Sequence, residues 1–430
     1  MERYLERVEA FEPHHQEGVV HQVIGLSVEA TGLRLPVGGL AEIAVADGWV
    51  EAQVVGFRDG RTVLLPLSDA EGLCALSRVR ARATRQYVPV GPGLLGRVLD
   101  GAGRPIDGRG PVRAEAWVPL VRSAPSAMDR ERIVEPFPLG IRSIDALLTC
   151  GRGSRLGIFS GSGVGKSVLL GMMARFHQGA LAVVGLVGER GREVREFLER
   201  DLGGEGLARA VVVVSTSDEP APCRIRAALA ATAIAESFRE AGQDVLLMMD
   251  SATRIAHAQR EIGLSAGEPP STRGYPPSVY RTLATLFERA GSGARGSITA
   301  LYTVLVEADD MDEPIADAAR SFLDGHIWLS RDLAQRSQFP AVDPLSSVSR
   351  LMLEVTTPEQ RRHADIVRRH MAIYRQNEDL IRAGAYVRGA DPRLDAAVGK
   401  MEAIEAFLRQ DRFESAPMEE THRRLAEVAS

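Results

Sequence analysis

One short stretch of the 430-residue chain restricts its possible folds more than any other feature. An apolar segment of strand length, 156–159, leads into Ser160-Gly161-Ser162-Gly163-Val164-Gly165-Lys166-Ser167, and an apolar helix-length segment, 168–175, follows. In a glycine-rich turn between a strand and a helix, backbone N–H groups can approach a phosphate closely, and the positive end of the helix adds to the attraction. The run therefore predicts a phosphate-binding loop.

The residue types in this run predict ATP and Mg²⁺ as cofactors. The predicted nucleotide-binding residues are Ser160, Gly161, Ser162, Gly163, Val164, Gly165, Lys166, Ser167 and Val168. Lys166 is expected to bridge the β- and γ-phosphates, and the Ser167 hydroxyl to bind Mg²⁺. Of 52 basic residues only Lys166 and Lys400 are lysine. An ammonium at the bridging position favours this interpretation over a glycine-rich turn that only caps a helix. The usual pattern begins with glycine, where this chain has Ser160.

Two acidic residues follow apolar strand segments further along the chain. Asp250 ends the segment 245–249, and Glu189 ends the strand predicted over 182–187. Because parallel strands present their carboxyl ends at one edge of a sheet, both carboxylates are expected near the loop. Asp250 is predicted to reach Mg²⁺ through water, and Glu189 to polarise an attacking water. The alternatives are a helix N-cap for Asp250 and a solvated strand end for Glu189.

The pattern along the chain predicts three domains of an α/β protein. Residues 1–90 are expected to form a small β-barrel behind a helix-like leading segment with Tyr4, Leu5, Val8 and Phe11 on one face. Apolar strands alternate with helix-length segments over 91–350, which predicts a parallel sheet covered on both faces. Within that range, 91–110 is expected to be loop-rich. Residues 351–430 are expected to be helical, with helix starts at Thr357-Pro358 and Asp391-Pro392.

Charge and hydropathy exclude some partners. The net charge is −5, so no general attraction to nucleic acid is expected. No apolar run approaches the roughly 18 residues that a membrane-spanning helix needs. Any contact with a membrane is therefore expected to be peripheral.

Longer motifs around the loop resemble the cytoplasmic ATPases of bacterial flagellar and type III protein export, which are relatives of the α and β subunits of rotary ATP synthases. The matching segments are Thr149–Gly153, Gly188–Val194, Ala258–Gly263, Gly267–Ser278 and Ser330–Leu333. The resemblance covers roughly Leu94 to Leu408. It implies a homohexameric ring with nucleotide at the subunit interfaces, a RecA-like core, an N-terminal β-barrel and a C-terminal helical domain.

The resemblance also assigns roles to individual residues. It implies that Glu189 is the catalytic glutamate, that Arg190 contacts phosphate, and that Glu193 contacts the water shell of Mg²⁺. Arg350 matches an arginine that reaches into the site of the neighbouring subunit. Phe339 matches the aromatic residue that stacks on adenine. Without the family match, Arg350 is best interpreted as a surface side chain and Phe339 as a core residue.

The implied function is ATP hydrolysis coupled to chaperone release, unfolding and export of proteins. The implied partners are stalk, regulator and gate proteins of the export apparatus and chaperone–substrate complexes, at a cytoplasmic site on the inner membrane. The segment Gly171–Arg175 favours the flagellar over the injectisome branch. The alternatives are a catalytic subunit of a rotary ATP synthase, a regulatory subunit, which would carry Gln in place of Glu189, and a nucleic-acid-translocating hexamer.

Overall fold

The computed structural model describes residues 16–306, 310 and 313–430. The predicted leading segment with Tyr4, Leu5, Val8 and Phe11 lies outside the described residues.

Six strands at the start of the described chain close into an antiparallel barrel in the order β1-β2-β5-β4-β3-β6. The strands are β1 (Glu17–Ile24), β2 (Ser27–Thr31), β3 (Leu40–Val45), β4 (Gly48–Arg58), β5 (Arg61–Pro66) and β6 (Arg78–Ala83). Alternate side chains point inward, and Val20, Ile43 and Leu64 are among those that form the apolar interior. The predicted barrel is confirmed.

A second sheet forms the centre of the protein and contains nine strands within the described residues, in the order β17-β16-β10-β15-β13-β11-β12-β8 with β14 attached to β15. Its strands are β8 (Val98–Asp100), β10 (Arg155–Ser160), β11 (Leu181–Glu189), β12 (Ala210–Thr216), β13 (Asp244–Asp250), β14 (Gly291–Ser292), β15 (Ser297–Leu305), β16 (Gly325–Leu329) and β17 (Val348–Ser349). All neighbours except β14 and β17 pair in parallel. The predicted parallel sheet is confirmed.

Helices cover both faces of this sheet because its strands are apolar on both sides. Along β11, Val183 and Val187 face one apolar core, whereas Val184 and Leu186 face the other. The helices of this region are α1 (Arg142–Leu147), α2 (Lys166–Phe176), α3 (Gly191–Glu196), a π-helical turn (Phe197–Leu202), α4 (Gly203–Ala208), α5 (Ala221–Glu240), α6 (Ala252–Ala266), α7 (Pro277–Arg289), α8 (Pro314–Phe322) and α9 (Arg331–Gln335). Short 3₁₀ turns cover Pro92–Leu94, Ala127–Asp129 and Thr272–Gly274.

The remaining chain is helical, as predicted. Its helices are α10 (Met352–Val355), α11 (Pro358–Gln376), α12 (Glu378–Arg382), α13 (Pro392–Leu408) and α14 (Met418–Ala429). Thr357 and Gln360 form a reciprocal capping box on α11, and the Asp391 side chain accepts hydrogen bonds from the first turn of α13. Both predicted helix starts are confirmed. Helix α11 ends at Gln376, because the backbone leaves helical geometry at Asn377.

The segment 91–110 is not only a loop-rich connection. Strand β8 lies inside it and forms the edge of the central sheet beside β12. A separate hairpin-like pair, β7 (Tyr87–Val90) and β9 (Ala116–Pro119), flanks the segment. Strand β8 has three residues, too few for a detectable alternation. The domain boundaries at residues 90 and 350 stay predictions.

Helix α6 connects the central sheet to the barrel. It begins directly after Asp250 with Ser251 as its N-cap. At its other end, the carbonyl oxygen of Ser265 accepts a hydrogen bond of 3.2 Å from Arg58 of β4. Apolar side chains of the barrel, including Val55 and Leu65, pack on Ala258 and Ile262 of α6. The barrel is therefore seated on a helix that starts at the carboxyl edge of the sheet.

Among the described residues, no helix combines the length and apolar character needed to cross a lipid bilayer.

A buried ion pair ties α5 to α7. Both side chains are 1% exposed, and the Arg289 guanidinium donates two hydrogen bonds of 2.8 Å to the Glu236 carboxylate and one of 2.9 Å to the Leu120 carbonyl oxygen. Breaking such a pair from one side leaves a charge in an apolar interior without its partner.

We expect Glu236→Ala to lower the free energy of unfolding by about 3–5 kcal/mol, because Arg289 then stays buried and unpaired. Urea unfolding followed by circular dichroism measures the change. Glu199→Ala is the matched control, since it removes a carboxylate from an exposed pair with Arg195 and is expected to leave stability nearly unchanged. Equal effects of the two substitutions would contradict the prediction.

Candidate functional site

The glycine-rich run forms the turn between β10 and α2. Gly163 and Gly165 have φ values of +80° and +87°, a left-handed conformation that glycine adopts without strain. Helix α2 begins at Lys166, and no side chain caps its first turn. Its N-terminal N–H groups are therefore available to an anion. Val164 and Val168 pack on the apolar core, so each can offer a nucleotide only its backbone.

Lys166 lies between the two predicted acidic residues. Its Nζ atom is 2.5 Å from Oδ1 of Asp250 and 3.5 Å from Oε1 of Glu189. Burial lowers the pKa of Lys166, but the charges of Asp250 and Glu189 outweigh that effect, and the pKa is raised overall. Lys166 therefore stays protonated and supplies a positive charge at this edge of the sheet.

Asp250 is the last residue of β13 and is buried. Its Oδ1 atom accepts a hydrogen bond of 2.6 Å from the Thr303 hydroxyl on the neighbouring strand β15. The N-cap of α6 is Ser251, whose Oγ atom accepts from the Arg254 N–H. The alternative in which Asp250 caps the helix is therefore wrong, and its carboxylate faces Lys166.

Glu189 is the last residue of β11 and is 7% exposed, so it is not a solvated strand end. Burial and the nearby charge of Asp250 raise the pKa of Glu189 to about 7, against a weaker opposing effect of Lys166. Its Oε1 atom accepts no hydrogen bond from the described residues. A buried carboxylate with an unused acceptor atom and a pKa near neutrality can take a proton from water.

The site contains an arginine that the sequence analysis did not identify. The Arg254 Nε atom lies 3.4 Å from Oε1 of Glu189. Gly188 makes room for it, since a Cβ at Gly188 would lie 2.7 Å from Arg254 Cδ. The available signal was the position of Arg254 in the first turn of a helix that starts after Asp250 at the carboxyl edge.

Arg190 and Glu193 lie at the start of α3, beside Glu189. Arg190 is exposed, and its guanidinium is 3.7 Å from the Glu193 carboxylate. A side-chain hydrogen bond, which the protonated carboxyl of Glu189 donates to the Glu193 carboxylate, also contributes to the raised pKa of Glu189. Both predicted residues are therefore next to the catalytic candidate Glu189.

The donor set fits Mg²⁺ held together with a nucleotide. Among the residues that the structure describes, no group of three or more His, Cys, Asp or Glu side chains could hold a metal ion. Mg²⁺ typically keeps several waters and binds one or two protein oxygens plus substrate phosphates, so it needs no such group. The Ser167 hydroxyl and the carboxylates of Asp250 and Glu193 would supply the protein side. The buried Ser160 hydroxyl has no hydrogen-bond partner among the described residues and lies at the base of the same loop.

Phe339 lies against the phosphate loop rather than in the core. Its side chain is 45% exposed, and its Cε1 atom is 3.4 Å from the point where a Cβ on Gly165 would be. The interpretation of Phe339 as a core residue is therefore wrong. An aromatic ring with an open face beside the loop is suited to stack on a base.

Arg350 lies away from the loop of its own chain. Its backbone N–H donates to the Asp324 carbonyl oxygen, and the Asp324 carboxylate accepts from the N–H of Arg155, the first residue of β10. The phosphate loop begins at the other end of β10, about 16 Å away at about 3.3 Å per residue. The exposed Arg350 side chain, which donates to the Arg320 carbonyl oxygen, thus faces outward at the amino edge of the sheet.

Comparisons with known families match two parts of the chain. Residues 140–349 match the family described as "ATP synthase alpha/beta family, nucleotide-binding domain". Residues 356–427 match the family described as "T3SS EscN ATPase C-terminal domain".

Curated relatives match nearly the whole chain. The "Flagellum-specific ATP synthase" of Pseudomonas aeruginosa is 48% identical over 100% of this chain and 96% of the relative. The "Type 3 secretion system ATPase" of Xanthomonas euvesicatoria is 47% identical over 96% of this chain and 93% of the relative. The solved structure of "the assembled ATPase EscN" from enteropathogenic E. coli is 41% identical, with a TM-score of 0.90 over 96% of this chain and 100% of that one. A structure of EscN "in complex with its central stalk EscO" has a TM-score of 0.88 and the same coverage.

We expect Glu189→Gln to stabilise the nucleotide-free protein above neutral pH. The folded-state pKa of about 7 lies above the ordinary glutamate value of 4.5, so the folded protein binds more protons between these values and loses stability as pH rises through this window. Glutamine resembles the protonated acid and removes that loss, which is about 1–3 kcal/mol above pH 7.

Thermal unfolding at pH 5 and pH 8 tests this expectation. The variant should unfold at a higher temperature than the wild type at pH 8 and at a similar temperature at pH 5. A difference that is the same at both pH values would show that the carboxyl of Glu189 is not the cause.

Proposed function

The chain belongs to the family of flagellum-specific ATP synthases and type 3 secretion system ATPases, and we propose that it hydrolyses Mg·ATP in a ring of six identical subunits to drive protein export. It is an ATPase with an N-terminal β-barrel, a central nucleotide-binding α/β domain and a C-terminal helical domain. The observation that carries the proposed chemistry is the convergence of Lys166, Asp250 and Glu189 at the phosphate loop.

In the proposed reaction, a water molecule gives a proton to Glu189 and its oxygen attacks the γ-phosphorus of ATP. The bond to the bridging oxygen breaks, and ADP and inorganic phosphate leave. Glu189 fits the role of base because burial and Asp250 raise its pKa towards neutrality. Mg²⁺, when bound with ATP, would neutralise charge on the phosphate oxygens.

Lys166 is proposed to exchange partners when ATP binds. Its ammonium is paired with Asp250 at 2.5 Å, and the phosphates of ATP present a competing set of anionic oxygens beside the same loop. As Lys166 turns to the phosphates, Asp250 becomes available to the water shell of Mg²⁺. Ser160 to Val168 line the phosphates, and Arg190 and Glu193 approach the γ-phosphate and the metal waters from α3.

Two further residues are proposed to contact the nucleotide: Phe339 the adenine, and Arg350, from a neighbouring subunit, the phosphates in the transition state. Phe339 offers an open ring face to adenine beside Gly165. Arg350 is proposed to act on the nucleotide of the neighbouring subunit, because it lies at the opposite edge of the sheet from its own phosphate loop. An arginine supplied in this way accelerates phosphoryl transfer by about 10³–10⁵.

The proposed cellular role follows the relatives. EscN has been solved in assembled form and with a central stalk, which supports self-assembly and a stalk partner for this chain. Regulator and gate proteins, chaperone–substrate complexes and a cytoplasmic position at the inner membrane belong to the same proposal. The flagellar branch remains our preference from Gly171–Arg175. Relatives of both branches are similarly identical, at 48% and 47%, so identity does not separate them.

The alternative of a rotary ATP synthase subunit is not supported. The C-terminal residues match the type III secretion ATPase family, and the curated relatives reported above are flagellar and secretion ATPases. A regulatory subunit is disfavoured because the catalytic position holds Glu189 and not Gln.

We expect Lys166→Ala to weaken Mg·ATP binding by about tenfold or more, because it removes the cation that contacts the phosphates.

Glu189→Gln should keep binding but lower kcat by about 10²–10⁴, since it removes the general base. Steady-state hydrolysis and equilibrium nucleotide binding measure the two effects.

Lys400→Ala is the matched control, because it removes the other lysine of the chain from α13 and should change neither quantity. A Glu189→Gln protein with wild-type turnover would exclude Glu189 as the base.

A mixing experiment tests whether Arg350 acts between subunits. Arg350→Ala and Lys166→Ala proteins should each be nearly inactive. Mixed rings should regain activity, because an intact phosphate loop of one variant then meets Arg350 supplied by the other. Mixing Lys166→Ala with Glu189→Gln is the control and should restore nothing, since Lys166 and Glu189 belong to the same chain's half of the site. No recovery in the first mixture would contradict the shared site.

A further inference from the structure

Resting on the proposed function, we propose that Gln410 is a positioning residue that holds Phe339 beside the phosphate loop and thereby sets the affinity for the base of the nucleotide. Gln410 follows α13, far from the loop in sequence, and neither its residue type nor its spacing suggests a role at the site.

The backbone of Gln410 is attached to Phe339. The N–H of Gln410 donates a hydrogen bond of 3.0 Å to the carbonyl oxygen of Phe339. The Phe339 ring is half-exposed and lies beside the loop at Gly165. A bond to its main chain therefore restrains the backbone from which the ring projects.

The side chain of Gln410 is fully engaged. It is 5% exposed, its Oε1 atom accepts from the N–H of Arg142, and its Nε2 atom donates to the carbonyl oxygens of Gly140 and Glu414, each at 2.8 Å. Both donors of the amide are used, so the carboxylate of a glutamate could not make the same set of bonds. The orientation of this amide is fixed by three backbone groups.

These anchors belong to the unit that carries the phosphate loop. Gly140 has a φ value of +73°, and a Cβ there would lie 2.4 Å from Cβ of Phe176, the last residue of α2. Helix α2 begins at Lys166, directly after the loop. The bonds of Gln410 therefore connect the main chain of Phe339 to Gly140, which lies against the last residue of the helix whose first residue is proposed to contact phosphate.

A second set of contacts holds the same segment in place. Arg142, which is buried, donates to the carbonyl oxygen of Arg409 at 2.9 Å and to the Glu414 carboxylate at 2.6 Å. Arg175 of α2 donates to the carbonyl oxygen of Arg412. The segment 409–414 is thus bound along α2, and Gln410 is the member of it that reaches Phe339.

It follows that Gln410 should affect binding of the base of the nucleotide and not binding of its phosphates. The phosphates meet groups that Gln410 does not touch, whereas the base meets a ring whose position depends on Gln410. Loss of the Gln410 side chain should weaken binding of ligands that carry a base and leave ligands that consist only of phosphates unaffected. A merely structural role in holding the helical domain would not distinguish the two ligands.

The experiment compares KM for ATP with the inhibition constant of inorganic tripolyphosphate, a competitor without a base, in the full-length assembled protein. For Gln410→Ala, we expect KM for ATP to rise about fivefold or more, because base–aromatic stacking is lost in part. The inhibition constant of tripolyphosphate and kcat should stay within about twofold of the wild-type values. Arg409→Ala is the matched control, since the Arg409 side chain is exposed and contacts Glu405 only at 4.0 Å.

Phe339→Ala completes a double-mutant cycle. If Gln410 acts through the ring, Gln410→Ala should add no further rise in KM for ATP when Phe339 is already alanine. A rise of the same size in both backgrounds, a parallel rise in the inhibition constant of tripolyphosphate, or no rise at all would overturn the proposal. If Gln410→Ala does not fold, Gln410→Glu is judged by the same ratio, because it keeps the acceptor for Arg142 and loses both donors.

These outcomes are separate from the test of the proposed function. A wild-type protein without ATP turnover would refute the proposed function whatever Gln410 does. A wild-type protein that hydrolyses ATP, with Lys166→Ala weakening ATP and tripolyphosphate alike, leaves the proposed function intact and lets Gln410 be judged alone.

Discussion

The candidate nucleotide site depends on one ammonium group that offsets two buried carboxylates. Asp250 and Glu189 end adjacent strands β13 and β11, so the register of the sheet brings two negative charges to one edge. Buried carboxylates repel each other and are costly to keep ionised unless a cation lies between them. Lys166 supplies that cation from the first turn of α2. The loop, the strands and the helix are therefore constrained by a single electrostatic arrangement. The ammonium that neutralises the two carboxylates is also the group that is proposed to bind a phosphate.

The sequence identified this arrangement because its signals are local. A glycine-rich run between a strand and a helix, and acids at the ends of apolar strands, can each be recognised within about ten residues, and the parallel sheet then places them together. Phe339 and Arg350 were assigned only through family resemblance, because nothing in their neighbouring residues distinguishes them from core or surface side chains. The sequence does not identify Arg254 and Gln410 as residues of the site, for a related reason. Their contacts, with Glu189 and Phe339, join segments far apart in the chain, which no local pattern encodes.

The secondary structure shows the same limit. Helices α11 and α13 were predicted with their N-caps because Thr357, Asp391 and the following prolines act within one turn. Strand β8 was missed because it has three residues and its stability comes from pairing with β12, more than 100 residues later. Elements that are stabilised mainly by distant partners are thus the ones that sequence patterns describe least well.

Helix α6 gives the barrel a mechanical link to the catalytic edge. Its 15 residues begin next to Asp250, and Arg254 in its first turn lies against Glu189. Near its other end, the Ser265 carbonyl oxygen accepts a hydrogen bond from Arg58 of the barrel. At about 1.5 Å per residue the helix is about 22 Å long, so a tilt of about 5° pivoting at its first turn displaces its far end by about 2 Å. A rigid helix of this length would convert a small angular change near Asp250 into a larger displacement at the barrel.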